Sequence, residues 1–258
     1  MKSLILMFLV LGLSMAGWPA IRTETVEYKQ GASVLEGYLA WDDAIPGIRP
    51  GVLVIHEWTG LGDYVKNRCR ELAGLGYVAF GADIYGKGIR PKSMDDAARE
   101  SALYKNDRTL TRERANAALG ILLKNTKVDP KRVAVIGYCF GGMVALELAR
   151  SGAPVAGVVT FHGVLDTPTP EDAKNIRAKV LVLHGADDPF VTPAQVAAFE
   201  EEMRKGGVDW RLIMYGGAVH SFTNPSSGND PSKGAAYNEK ADKRSWEAMR
   251  QFFAEIFR

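Results

Sequence analysis

Cysteine is scarce in this chain: Cys69 and Cys139 are the only two in 258 residues. A scaffold stapled by several disulfides is therefore excluded. Charge of one sign is lacking as well, since Lys and Arg total 32 against 30 for Asp and Glu, a formal net charge of +2. No basic footprint for a nucleic-acid partner follows from that balance, and none is expected. Long apolar runs are missing too. The strongest, over residues 4–15, has about 12 residues, short of the roughly 20 that a spanning helix needs. Internal repeats and low-complexity tracts are absent. What is present, 47% hydrophobic and 24% charged residues, suits one sizeable core in a single large α/β domain.

The first twenty residues read as an address. Lys2 gives positive charge, the apolar run follows, and Ser14, Ala16 and Ala20 are small residues of the kind found at cleavage sites. We expect residues 1–20 to be a signal peptide and residues 21–258 to be the mature single domain, periplasmic or secreted. No Cys follows the run, so lipid attachment is not expected, nor is stable membrane insertion after cleavage. Two cysteines in an exported protein allow one disulfide, but their contexts argue against it. Cys69 recurs with Val65 and Leu72 at i, i+4 and i+7, the apolar stripe of a helix.

TETVEYKQGASVLEGYLAW reads as two alternating strands turning at Gln30 and Gly31, an antiparallel hairpin at a sheet edge. The pattern then changes to short runs rich in Val, Ile and Leu: GVLVIHEW, YVAFGADIYG, RVAVIGYC, PVAGVVTFHG, KVLVLHGADD and DWRLIMYGG. Such runs suit strands buried on both faces. Helical stretches over 64–75, 110–124, 143–150, 192–205 and 235–257 alternate with them. The expectation is an α/β fold with a mainly parallel sheet of about eight strands, an N-terminal hairpin, and helices on both faces. Thr192, Pro193 and Gln195 form a capping box, and Ser93 with Asp96 resembles another. In the last helix Trp246, Met249, Phe253 and Ile256 share one face. Residues 86–108 are long, charged and weakly amphipathic, and either border the site or form a solvated surface helix.

The run RVAVI leads straight into Gly137, Tyr138, Cys139, Phe140, Gly141 and Gly142, and then into MVALELAR. That is the nucleophile elbow, Gly-x-nucleophile-x-Gly, with Cys in place of Ser. The strained turn leaves no room for side chains two residues either side of the nucleophile, and it lifts the sulfur to a helix N-terminus, where the dipole favours thiolate. Downstream, Asp187 and Asp188 follow a strand, where carboxylates project toward the site of such sheets. Asp188, just before Pro189, is the favoured orienting acid and Asp187 the alternative. His220 follows the last strand. The order nucleophile, acid, histidine is that of α/β-hydrolases. His56, His162 and His184 also lie at strand ends and are expected to be structural. The loop after GVLVI normally supplies an oxyanion-hole amide, so the N–H groups of Trp58 and Phe140 are the candidates. Glu57 stands at that same strand end.

HEWTGL, ADIYG, GYCFGG, GADDPFV and HSF, in this order and with these gaps, resemble the dienelactone hydrolase family over nearly all of the mature chain. The resemblance implies a triad of Cys139, Asp188 and His220, a special glutamate at Glu57, and hydrolysis of a cyclic enol ester without metal or cofactor. It implies a small-molecule ester or lactone as partner; a monomer is expected. Glu57 is expected to oppose a negative charge on the sulfur, to accept the S–H hydrogen bond at rest, and to take the proton when substrate binds. Family members acting on dienelactone are expected to hold its carboxylate with arginines, one just after HSF. Here Thr223 and Asn224 stand in that stretch, and Arg99 is a loose match for the other arginine. A broad carboxylesterase or small-peptide hydrolase is the alternative within enzymes; a non-catalytic thiol-redox or binding protein is the alternative outside them.

Overall fold

The computed structural model describes residues 20–258. All but the last residue of the expected signal segment lies outside that range. Eight strands form one sheet: β1 (Ile21–Gln30), β2 (Ser33–Asp42), β3 (Arg49–Ile55), β4 (Val78–Ala82), β5 (Val128–Tyr138), β6 (Gly157–Phe161), β7 (Lys179–Gly185) and β8 (Trp210–Tyr215). Their order in space is β1-β2-β4-β3-β5-β6-β7-β8. The hairpin β1–β2 is antiparallel and meets β4 antiparallel, while every pairing from β4 across to β8 is parallel. Hairpin and turn fall where the alternation and Gly31, with φ 57°, require them.

Among the described residues six α-helices cover the sheet: α1 (Asp63–Gly74), α2 (Met94–Asn106), α3 (Arg108–Leu123), α4 (Phe140–Arg150), α5 (Pro193–Gly206) and α6 (Glu239–Ile256). Successive residues of the central strands point to opposite faces. Val52 and Val54 of β3 therefore pack with α1 and α6, whereas Leu53 and Ile55 pack with α3, α4 and α5. Val65, Cys69 and Leu72 of α1 are buried as their spacing predicts, and both cysteines are free. Thr192 and Gln195 complete the capping box of α5, and Ser93 Oγ accepts from the Asp96 N–H at the start of α2. The segment 86–108 thus contains a helix whose inner face buries Ala97, Ser101 and Tyr104.

The last helix begins four residues later than its apolar pattern predicts. Residues 234–238 are instead drawn to the loop after β8, where the His220 N–H donates to Gly234 O at 3.1 Å and the Ala236 N–H to His220 O at 3.0 Å. The Asn238 N–H then donates to Phe222 O at 3.0 Å, while its side chain accepts from the Ala241 N–H at 3.1 Å and caps α6. This long-range pairing satisfies backbone groups that a longer helix would otherwise use, and no local pattern encodes it. Met249 and Phe253 face the core as expected, joined by Phe252, with Trp246 and Ile256 half-buried at its margin.

Candidate active site

Parallel strands deliver their carboxyl ends to one edge of the sheet. Register aligns Ile55 with Gly137 and Tyr138 with Phe161, so the loop carrying Glu57 and Trp58 lies beside the turn carrying Cys139. The asymmetric demands of that turn are visible atom by atom. A Cβ on Gly137 would stand 2.0 Å from Gly141 O, and one on Gly141 2.4 Å from Ile55 O. Cys139 itself caps α4 with φ 54° and ψ −117°, a conformation that costs on the order of 1–3 kcal/mol for a side chain with a Cβ. Its N–H donates to Phe161 O at 3.1 Å, and neighbouring packing holds the turn in place. The sulfur is half-buried.

Strain is concentrated here. Among the described residues the non-glycine positions with positive φ are Cys139, His162 (40°) and Ser221 (54°). His162 packs edge-on to the His220 ring, with centroids 5.3 Å apart, and Ser221 follows His220 directly. All three surround one imidazole.

His220 is buried, and its Nδ1 lies 2.7 Å from Asp188 Oδ2. Burial works against the charged ring, but the charge of the Cys139 sulfur, the Asp188 hydrogen bond and a hydrogen bond to Cys139 outweigh it and push the histidine up to about 10. Asp188 is buried and spends its other oxygen on the Phe190 N–H at 2.8 Å, and the exposed Phe190 ring lies edge-on to His220 at 5.4 Å. Asp187 differs in every respect: it is exposed and accepts only the Gly217 N–H, at 2.9 Å. Of the two carboxylates, the structure brings Asp188 to the histidine.

Of the other three histidines, His56 and His162 are held by structural hydrogen bonds and His184 is simply buried. His56 contacts Glu57 O through Nδ1 at 2.6 Å and accepts the Ile84 N–H at Nε2, and burial lowers it to about 4. His162 reaches Thr223 Oγ1 at 2.7 Å, and burial keeps it neutral. His184 is buried and likewise lowered by desolvation.

Glu57 is buried, and burial raises its carboxyl above the usual range. Its oxygens accept from Asn224 Nδ2 at 2.6 Å and Ser221 Oγ at 3.4 Å. The expected hydrogen bond from the Cys139 thiol to Glu57 is not formed among the described residues; two stronger donors from the loop after His220 take the carboxylate instead. Trp58 is half-buried, and its carbonyl accepts the Tyr85 hydroxyl at 2.9 Å. Phe140 opens α4, where first-turn N–H groups have no intrahelical partner. Arg99 is not brought to the site: it is exposed on α2 and pairs with Asp96 one turn away, because the buried face of α2 is the one carrying Ala97 and Tyr104.

Sequence reasoning missed the supporting polar network. Tyr64 OH and His162 Nε2 share Thr223 Oγ1, at 2.6 and 2.7 Å, and Arg68 binds Thr223 O at 2.9 Å and Asp242 at 2.5 Å. Only the run HSFTN, which carries Thr223, hinted at any of this.

A sulfur raised on a strand-to-helix turn and an imidazole aimed by a carboxylate, all at the carboxyl edge of a mainly parallel sheet, define an α/β-hydrolase. Comparison with known proteins narrows the class. The profile of the dienelactone hydrolase family matches residues 35–257, and the chain belongs to that family, hydrolases acting on carboxylic ester or lactone bonds. The solved structure of m3DLH is 43% identical with a TM-score of 0.89, covering 93% of this chain and 100% of that one. A dienelactone hydrolase-like promiscuous phosphotriesterase from metagenomic libraries is 42% identical with a TM-score of 0.88, over 93% and 100%. Protein usf of Aquifex pyrophilus is 30% identical over 209 residues, 78% of this chain and 87% of the relative. A putative carboxymethylenebutenolidase of Aquifex aeolicus is 29% identical over 238 residues, 89% and 97% respectively.

Proposed function

We propose that this protein is a carboxymethylenebutenolidase-like hydrolase in which Cys139 attacks the carbonyl carbon of an ester or lactone through a thioester intermediate. The observation that carries this reading is the sulfur's position, at a strained helix cap beside an imidazole whose Nδ1 is held 2.7 Å from Asp188. The thiolate adds to the carbonyl carbon, whose electron pair moves to oxygen and is held by the Trp58 and Phe140 amides. As the tetrahedral adduct collapses, the C–O bond to the leaving group breaks, and the departing oxygen takes the proton of His220. Water then attacks the thioester, giving its proton to His220, and the C–S bond breaks to restore the thiolate. Asp188 orients the ring throughout. Glu57 enters as the group proposed to guard and activate the thiol; since its oxygens are engaged by Ser221 and Asn224, any contact with the sulfur follows a side-chain movement that exchanges those bonds. A second proposal is export, supported by Lys2, the apolar run and the small residues before position 21.

Burst release of 4-nitrophenol from an activated ester, with an acyl adduct on Cys139 in the mass spectrum, is the expected result. A burst that persists in Cys139→Ala overturns the nucleophile. The same promiscuous-phosphotriesterase likeness favours one further substrate test: a neutral phosphotriester offered to the same thiol. For export, mass spectrometry of envelope protein is expected to show loss of the first 16 to 20 residues; an intact Met1 refutes it.

A further inference from the structure

The geometry points to an uncharged or cationic substrate, and to Asp63 and Asn224 as the residues that make the cavity beside Glu57 select against carboxylate-bearing esters. The inference rests on the ester-hydrolase reading above and refines it. That cavity, of about 370 Å³, is walled by the loop after β3, the opening turn of α1 and the loop after His220. It shares Trp58 and Ser221 with the site, so it abuts the proposed reaction centre.

Its charged lining consists of two carboxylates, Glu57 and Asp63; hydroxyls, the Asn224 amide and the Trp58 indole supply the remaining side-chain polarity, and no Lys or Arg lines it among the described residues. Two guanidiniums stand near its walls, and neither lines it. Arg68 gives its N–H groups to Glu71, Asp242, Tyr64 and Thr223 O. Arg90 gives its own to the carbonyls of Leu61, Gly86 and Ile89, and lies 3.6 Å from Asp83. Asn224 is spent as well, with Nδ2 on Glu57 and Oδ1 accepting the Ser226 N–H at 3.0 Å. Two positive features remain: the start of α1, whose cap offers no side-chain bond and which Asp63 in that first turn already complements, and the ring of His220 next to Ser221, which is paired with Asp188 at 2.7 Å. A substrate carboxylate entering here loses water without gaining a counter-ion and meets two groups of its own sign. A neutral chain meets neither cost, and an ammonium finds partners.

Three six-carbon 4-nitrophenyl esters separate these cases: the hexanoate, the hydrogen adipate and the 6-aminohexanoate, each corrected for its spontaneous hydrolysis. For the wild-type enzyme, kcat/KM for the adipate is expected about tenfold or more below that for the hexanoate, with the aminohexanoate at or above it, both gaps narrowing with added salt. Asn224→Arg is expected to raise the adipate relative to the hexanoate by about fivefold or more. Adipate turnover equal to or faster than hexanoate turnover overturns the inference. The corresponding 4-nitroanilides, titrated calorimetrically into Cys139→Ala, give the same ranking without chemistry. If no ester is turned over but the anilide ranking holds, the nucleophile reading falls and the charge selection stands; an adipyl anilide that binds as well as the hexanoyl one removes the selection whatever the turnover.

Discussion

Cys69 and Cys139 are one side chain in two settings. Cys69 sits mid-helix on the inner stripe of α1 between Val65 and Leu72, with its sulfur against the backbone of β4, and burial among apolar atoms pushes its thiol far up. Cys139 stands at the start of α4 with a left-handed φ and the Asp188-paired ring of His220 at hand. Sulfur chemistry is the same in both. Backbone dihedral and neighbouring charge set the packed sulfur apart from the one proposed as nucleophile.

The sharpest way to break that contrast is to remove each sulfur. Cys139→Ala is expected to lower kcat/KM by roughly 10³-fold or more, since an acyl-enzyme cannot form. Cys69→Ala is expected to leave kcat within about twofold yet cost about 1–2 kcal/mol of stability in urea titration, through a small cavity beneath α1. Comparable activity losses in the two variants would refute the assignment.

A second contrast lies between adjacent carboxylates. Asp188→Asn is expected to reduce kcat/KM by roughly 10²-fold or more, and Asp187→Asn far less. In the wild type, the rate should fall as pH rises through about 10, where His220 surrenders the proton its leaving group needs. The same shift bears on stability. A folded-state pKa above the unfolded value of about 6.5 contributes stabilisation that is complete below about pH 6.5 and lost as pH rises through about 10. Asp188→Asn should lessen that slope in melting curves recorded from pH 6 to 10.

Glu57→Gln should act more mildly on rate, by about tenfold, and in the opposite sense on stability. Burial raises this carboxyl, so the wild type is stabilised while Glu57 is protonated and loses that contribution as pH rises from the unfolded value upward. The amide variant is therefore expected to melt higher at pH 8 by roughly 2 °C, with the advantage gone near pH 4. Higher melting of the wild type at pH 8 would show that ionised Glu57 is well solvated after all. Arg99→Ala, on the exposed face of α2, should change kcat/KM by less than about twofold, and a larger loss would return that arginine to the site.

The frame of the molecule was legible because it follows from local patterning. Continuous Val and Ile runs located the buried strands, and the glycines flanking Cys139 marked the elbow, since each answers to a steric contact within a few residues. What escaped the sequence depends on partners far along the chain. Glu57 stands at the predicted strand end, yet its hydrogen bonds come from Ser221 and Asn224, more than 160 residues away. The delayed start of α6 reflects pairing with His220 rather than any helix-breaking residue, for Ala235 and Ala236 are good helix formers. Arg99 lies on a weakly amphipathic helix, whose pattern gives no firm signal of which way each side chain turns.

The pairing of His220 with Ala235 has a consequence for how this enzyme wears out. The imidazole's aim is held by a strap that ends in the cap of the final helix, so anything that loosens α6, whether heat, a clipped terminus or a substitution at Asn238, slackens the histidine while the elbow and Asp188 remain in place. Activity should then vanish ahead of the main unfolding transition, leaving molecules that keep their helical circular dichroism and have lost only their aim.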